Sequence, residues 1–386
     1  MGQDLYFRGA LVLPDRVVEG GVLRVTGKVI TGLWDPGEGR PPEPPPGSVI
    51  QGDYICPGFI DLHVHGGGGA DFMDGDPEAV ATITSTHARY GTTGLLATTL
   101  TAPEEEIRRA IRAVKAAPQK GARVLGFHVE GPFINGKMKG AQAGRYVRRA
   151  SVGEIDRWFT EGSPDDRWHV TLAPEIFGAI AAIRHLVQKG AVVSAGHTDC
   201  TYAQLEQAAN AGLSHVTHLY NAMRGLHHRE PGTVGAALTL PGLTVEIIAD
   251  GIHIHPAALA VAVRARGTEQ VILVTDAMRA TGLGDGIYRL GELDATVRDG
   301  EARLADGTLA GSVLTMDAAV RSVVRFTGVA LHEAVAMATV HPARRHRLAA
   351  KRGSLAVGKL ADVVVLDRHL QTRLTLAEGR VVYDGR

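Results

Sequence analysis

Apolar runs with the length of buried strands alternate with segments of helical periodicity from Cys56 onward. The helical segment Pro103–Ala117 opens with proline and three glutamates, which favour the start of a helix. Phe177–Lys189, Tyr202–Asn210 and Pro256–Arg266 are similar segments followed closely by glycine. The strand-like runs are Gly58–His63, Gly94–Leu100, a run ending at Glu130, Trp168–Pro174, runs ending at His197 and His218, Thr244–Asp250 and a run ending at Asp276. Eight strands that alternate with helices predict an α/β fold, a (β/α)8 barrel of the TIM type.

The two ends of the chain have a different pattern, made of short alternating strands separated by turns. These strands are Gly21–Val25, Val29–Ile30, Asp362–Leu366 and Arg380–Tyr383. Each end is too short to fold alone. We therefore expect residues 1–55 and 350–386 to join as one small β-sandwich beside a barrel that residues 56–349 form.

Two further segments depart from the regular alternation of strand and helix. Between Gly282 and Gly311 two alternating stretches predict a hairpin, inserted before the last helical segments, Met316–Phe326 and Leu331–Leu348. Pro41–Gly47 is rich in proline and predicts an extended loop.

Composition narrows the class of protein. The chain has 386 residues, with Lys+Arg and Asp+Glu balanced at 41 each, so no basic excess favours a nucleic-acid partner. No uninterrupted apolar run of about 18 residues is present, so we expect no membrane span. The chain does not begin with a basic stretch and an apolar core, which favours a cytoplasmic protein. Two cysteines, Cys56 and Cys200, do not suggest a disulfide framework.

Four of the strand-like runs end in residues that bind transition metals. His63 and His65 close the first run and face the same side, since residues i and i+2 of a strand do so. Glu130 closes the third run, and imidazoles together with a carboxylate suit Zn²⁺ or Fe²⁺ better than Mg²⁺. We expect one metal on Glu130, His197 and His218, with an open position for water. A second metal would use His63 and His65, with Glu130 as the bridge.

The run that ends in Asp276 supplies an acid at the same end of the barrel. A helix cap is the alternative role, but the surrounding ligands favour a catalytic base that takes a proton from water and passes it to a leaving amine. His128 is expected to hydrogen-bond near the metal rather than bind it. Gly66–Gly69 would let the backbone approach a substrate, and no Gly-Lys-Ser/Thr follows to make a phosphate loop.

Eight short motifs occur in order between about Pro57 and Asp367. They are Pro57–Gly66, His128–Phe133, Ser194–Thr198, Thr217–Met223, Arg229–Gly232, Ala249–His253, Val274–Ala277 and Leu309–Ser312. Together they resemble the N-acetylglucosamine-6-phosphate deacetylases of the amidohydrolase superfamily. Gly353–Asp362 resembles the return of that superfamily to its β-sandwich and is less discriminating.

The resemblance implies a role for each matching position. It makes Glu130, His197 and His218 the main metal ligands and Asp276 the general acid/base, with one or two metals per chain because both histidines of the first run are present. The positions that match contacts to the substrate are Ala141, Asn221, Ala222, Arg229, His253, Leu309, Ala310 and Gly311. Gln142 stands where the family commonly has histidine, so an uncharged amide meets the substrate there.

The resemblance also implies the reaction, which is hydrolysis of N-acetylglucosamine 6-phosphate to glucosamine 6-phosphate and acetate. Deacetylation of the galacto epimer stays open, as does hydrolysis of a cyclic amide. Many enzymes of the latter kind bridge two metals with a carboxylated lysine, which Glu130 replaces here. A non-catalytic scaffold is a further alternative, against which the full ligand set argues. Family members are generally dimers, so we expect a homodimer in which Arg229 and His253 lie near the subunit interface.

Overall fold

The computed structural model describes residues 4–39, 41, 43–45 and 47–386. The strands are β1 (Leu5–Val12), β2 (Val17–Thr26), β3 (Val29–Trp34), β4 (Val49–Pro57), β5 (Phe59–Val64), β6 (Gly66–Gly67), β7 (Ala70–Asp71), β8 (Thr92–Thr99), β9 (Arg123–Glu130), β10 (Arg167–Leu172), β11 (Val192–Ala195), β12 (His215–Val216), β13 (Thr244–Ile248), β14 (Val271–Val274), β15 (Gly286–Leu290), β16 (Leu293–Arg298), β17 (Glu301–Arg303), β18 (Val363–Leu366), β19 (Thr372–Ala377) and β20 (Arg380–Asp384). The α-helices are α1 (Pro77–Ala88), α2 (Glu104–Ala116), α3 (Val152–Phe159), α4 (Ala179–Gln188), α5 (Tyr202–Asn210), α6 (Gly232–Thr239), α7 (Pro256–Arg266), α8 (Met316–Thr327), α9 (Leu331–Met337) and α10 (Val340–Arg345).

Eight parallel strands form the barrel, in the order β14-β13-β12-β11-β10-β9-β8-β5. The first and last of these strands meet through a parallel bridge between Val64 and Ala277, which closes the sheet. The expected (β/α)8 fold class is confirmed, and every predicted strand of the barrel is present.

The sequence forms these elements because the barrel strands are buried on both faces and amphipathic helices such as α2 are buried on one. All eight residues of β8 are buried, as expected for a strand with side chains inside the barrel and under the helices. In α2 the buried residues Ile107, Ala110, Ile111 and Val114 recur at helical spacing, while Glu104–Glu106 occupy the first turn. The helix begins after Pro103, one residue later than predicted.

Strands from both ends of the chain form one sheet beside the barrel, in the order β20-β19-β18-β4-β1-β2-β3. This sheet encloses a separate apolar core that includes Phe7, Leu23, Ile55 and Val365. Strand β4 continues from this sheet to Pro57 and so crosses the expected boundary between residues 55 and 56. The division into residues 1–55 with 350–386 and 56–349 stays a prediction.

The insertion before the last helices contains three strands rather than the expected two. Strand β17 pairs with β16 in register Arg298 to Glu301, so only two residues form the turn between them. Those residues, Asp299 and Gly300, both have positive φ, 50° and 81°. Asp-Gly is the favoured sequence for such a turn. The turn returns the chain for a third strand above the carboxyl ends of the barrel strands.

The predicted helical stretch Leu331–Leu348 is divided into α9 and α10, because Ala338 and Thr339 leave the helical path. The predicted loop Pro41–Gly47 contains Pro42 and Pro46, which lie outside the described residues, as do Met1–Gln3 at the start of the expected sandwich. No helix among the described residues is long and apolar enough to cross a bilayer.

Candidate metal centre and active site

Three of the expected site residues lie two positions beyond the end of a barrel strand, in left-handed backbone conformation. His197, His218 and Asp276 follow β11, β12 and β14 and have φ values of 48°, 31° and 50°. Such φ values are uncommon outside glycine and mark functional sites when the fold holds them. The turn that each residue makes directs its side chain across the open end of the barrel.

Glu130, His197 and His218 form the first group of potential ligands. Glu130 Oε1 lies 3.1 Å from Nε2 of His197 and 3.1 Å from Nε2 of His218. The two Nε2 atoms are 3.2 Å apart. All three side chains are buried at the end of the barrel.

His63, His65 and Asp276 form a second group beside the first. The Nε2 atoms of His63 and His65 are 3.2 Å apart, and Asp276 Oδ1 lies 3.4 and 3.3 Å from them. Glu130 faces both groups, since its Oε2 is 3.2 Å from His65 Nε2 and its Oε1 is 3.5 Å from His63 Nε2. Glu130 lies between the two groups, where a bridging ligand would have to be, and its bridging role stays a prediction. Asp276 adds a potential ligand atom that the sequence did not predict.

The spacing of these atoms fits a divalent metal at either group. Metal–nitrogen and metal–oxygen bonds of about 2.1 Å in a tetrahedron place the ligand atoms about 3.4 Å apart. The ring orientations agree with that use, because His197 donates Nδ1–H to the Met138 carbonyl oxygen at 2.9 Å and turns Nε2 toward Glu130. These two groups therefore have the geometry to hold one or two divalent metals.

A second buried carboxylate, Glu246 in the middle of β13, supports the second group from below. His63 donates Nδ1–H to Glu246 Oε2 at 3.1 Å, and His215 lies 3.1 Å from Oε1 through its Nε2. This contact fixes the His63 tautomer so that Nε2 is the free atom that faces Asp276. The sequence analysis did not single out Glu246, although a lone glutamate in the apolar strand Thr-Val-Glu-Ile-Ile is a signal of the kind used for Glu130.

The histidines decide the ionisation of the buried acids. Burial alone would raise the pKa of Glu130, but His63 and His197 outweigh burial and hold that pKa well below its usual range. Burial likewise opposes ionisation of Asp276, yet His63 and His65 lower its pKa to about 2. For Glu246, His215 and His63 overcome the effect of burial and lower the pKa well below the usual range. All three acids are therefore carboxylates at neutral pH and available as ligands or proton acceptors.

Gln142 lies against a metal-ligand candidate. Its Nε2 donates to Glu130 Oε2 at 2.6 Å, and its Oε1 accepts from the Thr101 backbone amide at 2.7 Å. Both ends of the amide are thus fixed, and the side chain is buried. The uncharged amide at this position orients the carboxylate of Glu130.

A cavity of about 290 Å³ opens above the two groups. The expected site residues that line it are His65, Glu130, Ala141, Gln142, His197, His218, Asn221, Ala222, His253, Asp276, Leu309 and Gly311. His63 lies beneath the cavity, and Ala310 is buried between its two lining neighbours. Arg229 does not line the cavity but is exposed in the segment Gly225–Arg229. These residue roles stay predictions.

Some lining residues were missed by the sequence analysis. Lys137 and Met138 come from the loop after β9, and Leu290 and Thr308 come from the inserted sheet and the loop after it. Lys137 brings a cation to a site for which the sequence analysis had named Arg229 as the phosphate-binding cation. Its sequence neighbourhood, Asn-Gly-Lys-Met-Lys, reads as an exposed loop, so only the fold reveals the position.

His128 lies away from the cavity, and its expected role of hydrogen-bonding near the metal stays a prediction. Its Nε2 lies 2.7 Å from Thr171 Oγ1, and its Nδ1 lies 3.2 Å from the Leu62 carbonyl oxygen. Its ring centroid is 4.5 Å from that of His63, so it packs against a candidate ligand from inside the barrel.

Comparison with known proteins adds a family. Residues 54–384 match the model of the amidohydrolase family. The N-acetylglucosamine-6-phosphate deacetylase of Bacillus subtilis (strain 168) is 40% identical over 384 residues, 97% of this chain and 96% of the relative. The N-acetylgalactosamine-6-phosphate deacetylase of Escherichia coli O157:H7 is 42% identical over 344 residues, 88% of this chain and 91% of the relative.

A solved structure is also similar to this chain in fold. The structure of a mutant N-acetyl-D-glucosamine-6-phosphate deacetylase from Mycobacterium smegmatis, in complex with N-acetyl-D-glucosamine-6-phosphate, superimposes with a TM-score of 0.92. That comparison covers 99% of this chain and 100% of the solved chain at 36% identity. The likeness therefore extends over the barrel and the terminal sheet together.

Proposed function

Since this chain belongs to the amidohydrolase family, we propose that it is an N-acetylglucosamine-6-phosphate deacetylase. It hydrolyses the acetamide of N-acetyl-D-glucosamine 6-phosphate to D-glucosamine 6-phosphate and acetate. The observation that carries the proposal is the convergence of Glu130, His197 and His218 with Asp276 at the carboxyl ends of the barrel strands. Two relatives named N-acetylglucosamine-6-phosphate deacetylase support the proposal. They are 40% and 36% identical to this chain over 97% and 99% of its length.

The chain contributes a rigid set of ligands to the reaction. Glu130, His197 and His218 would hold one divalent metal, and His63 and His65 with Asp276 a second. When bound, the metal polarises the amide carbonyl and lowers the pKa of water. Imidazole and carboxylate donors favour Zn²⁺ or Fe²⁺ as that metal.

Asp276 is the proton carrier of the proposed reaction. Its carboxylate faces the cavity and is ionised, because His63 and His65 keep its pKa low. It takes a proton from the attacking water and delivers it to the nitrogen that leaves as the amine. The backbone holds it in place, since the Asp276 amide donates to the His63 carbonyl oxygen at 2.9 Å and its carbonyl accepts from Ser312 at 2.8 Å.

Recognition of the sugar phosphate falls to a few cations and amides at the cavity wall. His253 donates Nδ1–H to Asp250 at 2.6 Å. Burial would lower the pKa of His253, but Asp250 outweighs burial and raises it, which favours a cationic ring toward an anion. Lys137 and Asn221 line the same cavity. We assign phosphate and hydroxyl contacts to these three residues.

Arg229 enters the proposal through a second copy of the chain. Its segment is exposed and includes Leu226, 59% of whose surface is accessible. An exposed leucine beside His227, His228 and Arg229 suits a subunit contact. In a homodimer that buries this segment, Arg229 would reach the phosphate in the cavity of the partner.

Mixing two inactive variants tests the shared site. Arg229→Ala and Asp276→Asn, co-expressed and purified together, should regain part of the parent activity, because one site of each mixed dimer has both groups. Arg229 acting within its own chain would give no recovery. Light scattering that finds only monomer at micromolar concentration, with full activity, would also reject this dimer.

The galacto epimer is the second candidate substrate, since a relative of that specificity is as similar as those of gluco specificity. The deciding experiment measures acetate release from both 6-phosphates and from N-acetylglucosamine without phosphate. We expect the gluco 6-phosphate to have the highest kcat/KM and the unphosphorylated sugar to lose several orders of magnitude. Equal use of the sugar with and without phosphate would mean that the substrate class is wrong.

The proposed location is the cytoplasm. It follows from the substrate, because a phosphorylated sugar is charged and does not cross a bilayer unaided. Fractionation of the source cells, with acetate release as the assay, tests this assignment.

A further inference from the structure

A large cavity lies at the opposite end of the barrel from the candidate metal ligands. It has a volume of about 690 Å³. Its walls include Arg167, Val192 and Thr244, the first residues of β10, β11 and β13, and Ser214 and Gln270, which precede β12 and β14. The cavity therefore sits under the amino ends of five consecutive strands. A strand of six residues separates it from the active-site end by roughly 15–20 Å.

Four arginines line this cavity, and we call them the basal arginines: Arg167, Arg344, Arg345 and Arg347. Within the part of the chain that the structure describes, none of them takes part in an ion pair or a side-chain hydrogen bond. Most other arginines of the chain that are half-buried have an acidic partner. Examples are Arg108 with Glu161, Arg148 with Glu154, Arg224 with Asp199 and Arg279 with Asp74.

Two of the basal arginines are partly withdrawn from solvent without compensation. Arg167 and Arg345 are half-buried, and the Nε atom of each is inaccessible and has no hydrogen-bond partner among the described residues. Burial lowers the pKa of Arg345, with no acid nearby to reverse the effect. A buried polar group without a partner costs free energy, and a buried charge costs more. Arg344 and Arg347 are exposed at the same cavity. The fold thus places two half-buried guanidinium groups on one cavity wall, where a ligand or water relieves the cost.

The other charged residues of the cavity wall do not neutralise the basal arginines. Asp166 is engaged by Lys115, whose Nζ lies 3.0 Å from its carboxylate. Lys189 is a further cation of the wall and is paired with Asp156 outside it at 2.8 Å. Glu269 is exposed at the rim. The balance of the wall is therefore positive in a chain whose overall charge is zero.

From this geometry we infer that the cavity under the amino ends of the barrel strands binds a phosphorylated small molecule through the basal arginines. Guanidinium groups bind two oxygens of a phosphate at once, which suits several arginines around one anion. The volume lies in the range of small-molecule sites and exceeds the needs of a single inorganic ion. Because the ligand binds at the far end of the barrel, it acts separately from the proposed substrate, and the inference does not depend on the deacetylase activity.

Trp168 provides a local reporter for this site. It lines the cavity and stacks on Phe159 with ring centroids 4.2 Å apart. We would titrate the metal-loaded protein with pyrophosphate at constant ionic strength and follow tryptophan fluorescence. We expect a saturable change that disappears in Trp168→Phe and persists in Arg229→Ala, which removes a residue of the proposed active site.

Charge-matched variants test the assignment of the arginines. Arg345→Gln should weaken pyrophosphate binding at least tenfold, while Arg89→Gln, an exposed arginine at the end of α1, should leave it unchanged. Arg347→Gln is an exposed substitution that tests the same site if Arg345→Gln folds poorly. Acetate release by the basal variants in the absence of pyrophosphate should equal that of the parent. The absence of a saturable signal, or equal affinity in Arg345→Gln, Arg347→Gln and Arg89→Gln, would overturn the inference.

Discussion

At the scale of single residues, the site depends on one carboxylate with several partners. Glu130 faces four histidine nitrogens and also accepts from Gln142, so its two oxygens are fully assigned. The Asp276 carboxylate contacts two histidines, His63 and His65, at 3.4 and 3.3 Å, and projects into the cavity. The first acid is therefore suited to holding a metal, and the second to moving a proton.

The role of Asp276 leads to a first prediction. Asp276→Asn should lower kcat by about 100-fold or more, since an amide cannot accept the proton of water. Binding of the substrate, measured by calorimetry, should change little, and metal on Glu130, His197 and His218 should remain. A variant that turns over within a few-fold of the parent would exclude Asp276 as the proton carrier.

Glu246 supplies the second prediction, which concerns metal rather than turnover. Glu246→Gln removes the negative charge that His63 contacts, so affinity at the second group should fall about 10- to 100-fold. Elemental analysis after dialysis against a metal buffer should find one metal lost and one retained. Glu206→Gln, on the exposed face of α5, is the matched control and should retain both. Loss of both metals, or of neither, would contradict the assignment.

At the scale of elements, the turns that follow the short strands, rather than the strands themselves, carry several candidate site residues. The active-site residues His197, His218 and Asp276 come after their strands, and the inserted sheet depends on the turn Asp299–Gly300. Leu290, at the end of β15, carries that sheet to the wall of the cavity. The backbone conformation of these turns therefore affects which side chains line the cavity.

The turn of the inserted sheet gives the third prediction. Gly300→Ala meets no atom within 4 Å but forces a Cβ onto φ of 81°, so it should destabilise by about 1 kcal/mol. Gly284→Ala also meets no atom within 4 Å and has no positive φ, so it should be neutral. Thermal unfolding of the pair separates backbone strain from any effect of the added methyl group. Equal melting temperatures would show that this turn does not need glycine.

The sequence predicted the elements better than the contacts between them. The eight strands and their terminal ligands follow from local pattern, since parallel strands must meet at their carboxyl ends. The sequence did not predict the role of Glu246, because this residue lies in the middle of a strand and its partners His63 and His215 come from other strands. The sequence did not predict the cavity lined by the basal arginines. Arg167 and Arg345 are distant in the sequence, and each alone has the pattern of a surface arginine.

At the scale of the whole molecule, several histidines are buried in uncharged form. Burial lowers the pKa of His87 to about 4, against the opposing hydrogen bond to the Gly66 carbonyl oxygen. Burial also lowers the pKa of His346 to about 3. The unfolded chain takes up protons near pH 6.5, where the folded chain does not. The stability that these two neutral histidines contribute is thus fully present above pH 6.5 and falls as the pH drops toward 4.

The fourth prediction follows from His87. Its lowered pKa contributes a loss of about 3 kcal/mol between pH 6.5 and 4, from the difference in proton affinity of the two states. His87→Gln should reduce the slope of unfolding free energy against pH in that window. His369→Gln, at an exposed position, should leave the slope unchanged. Urea unfolding at several pH values measures both, and identical slopes in parent and His87→Gln would refute the prediction.

The bridge between Val64 and Ala277 that closes the barrel has a consequence for assembly of the active site. His63 and His65 belong to the first strand, whereas Asp276 follows the last, and nearby Asp61 and Thr275 are joined across 214 positions. During synthesis His63 and His65 are made first, and they can meet Asp276 only after almost the entire barrel has been made. A metal held by both sides would then act as a clasp on the seam of the cylinder. Closure of the sheet and assembly of this ligand group thus require the same two ends of the barrel to meet.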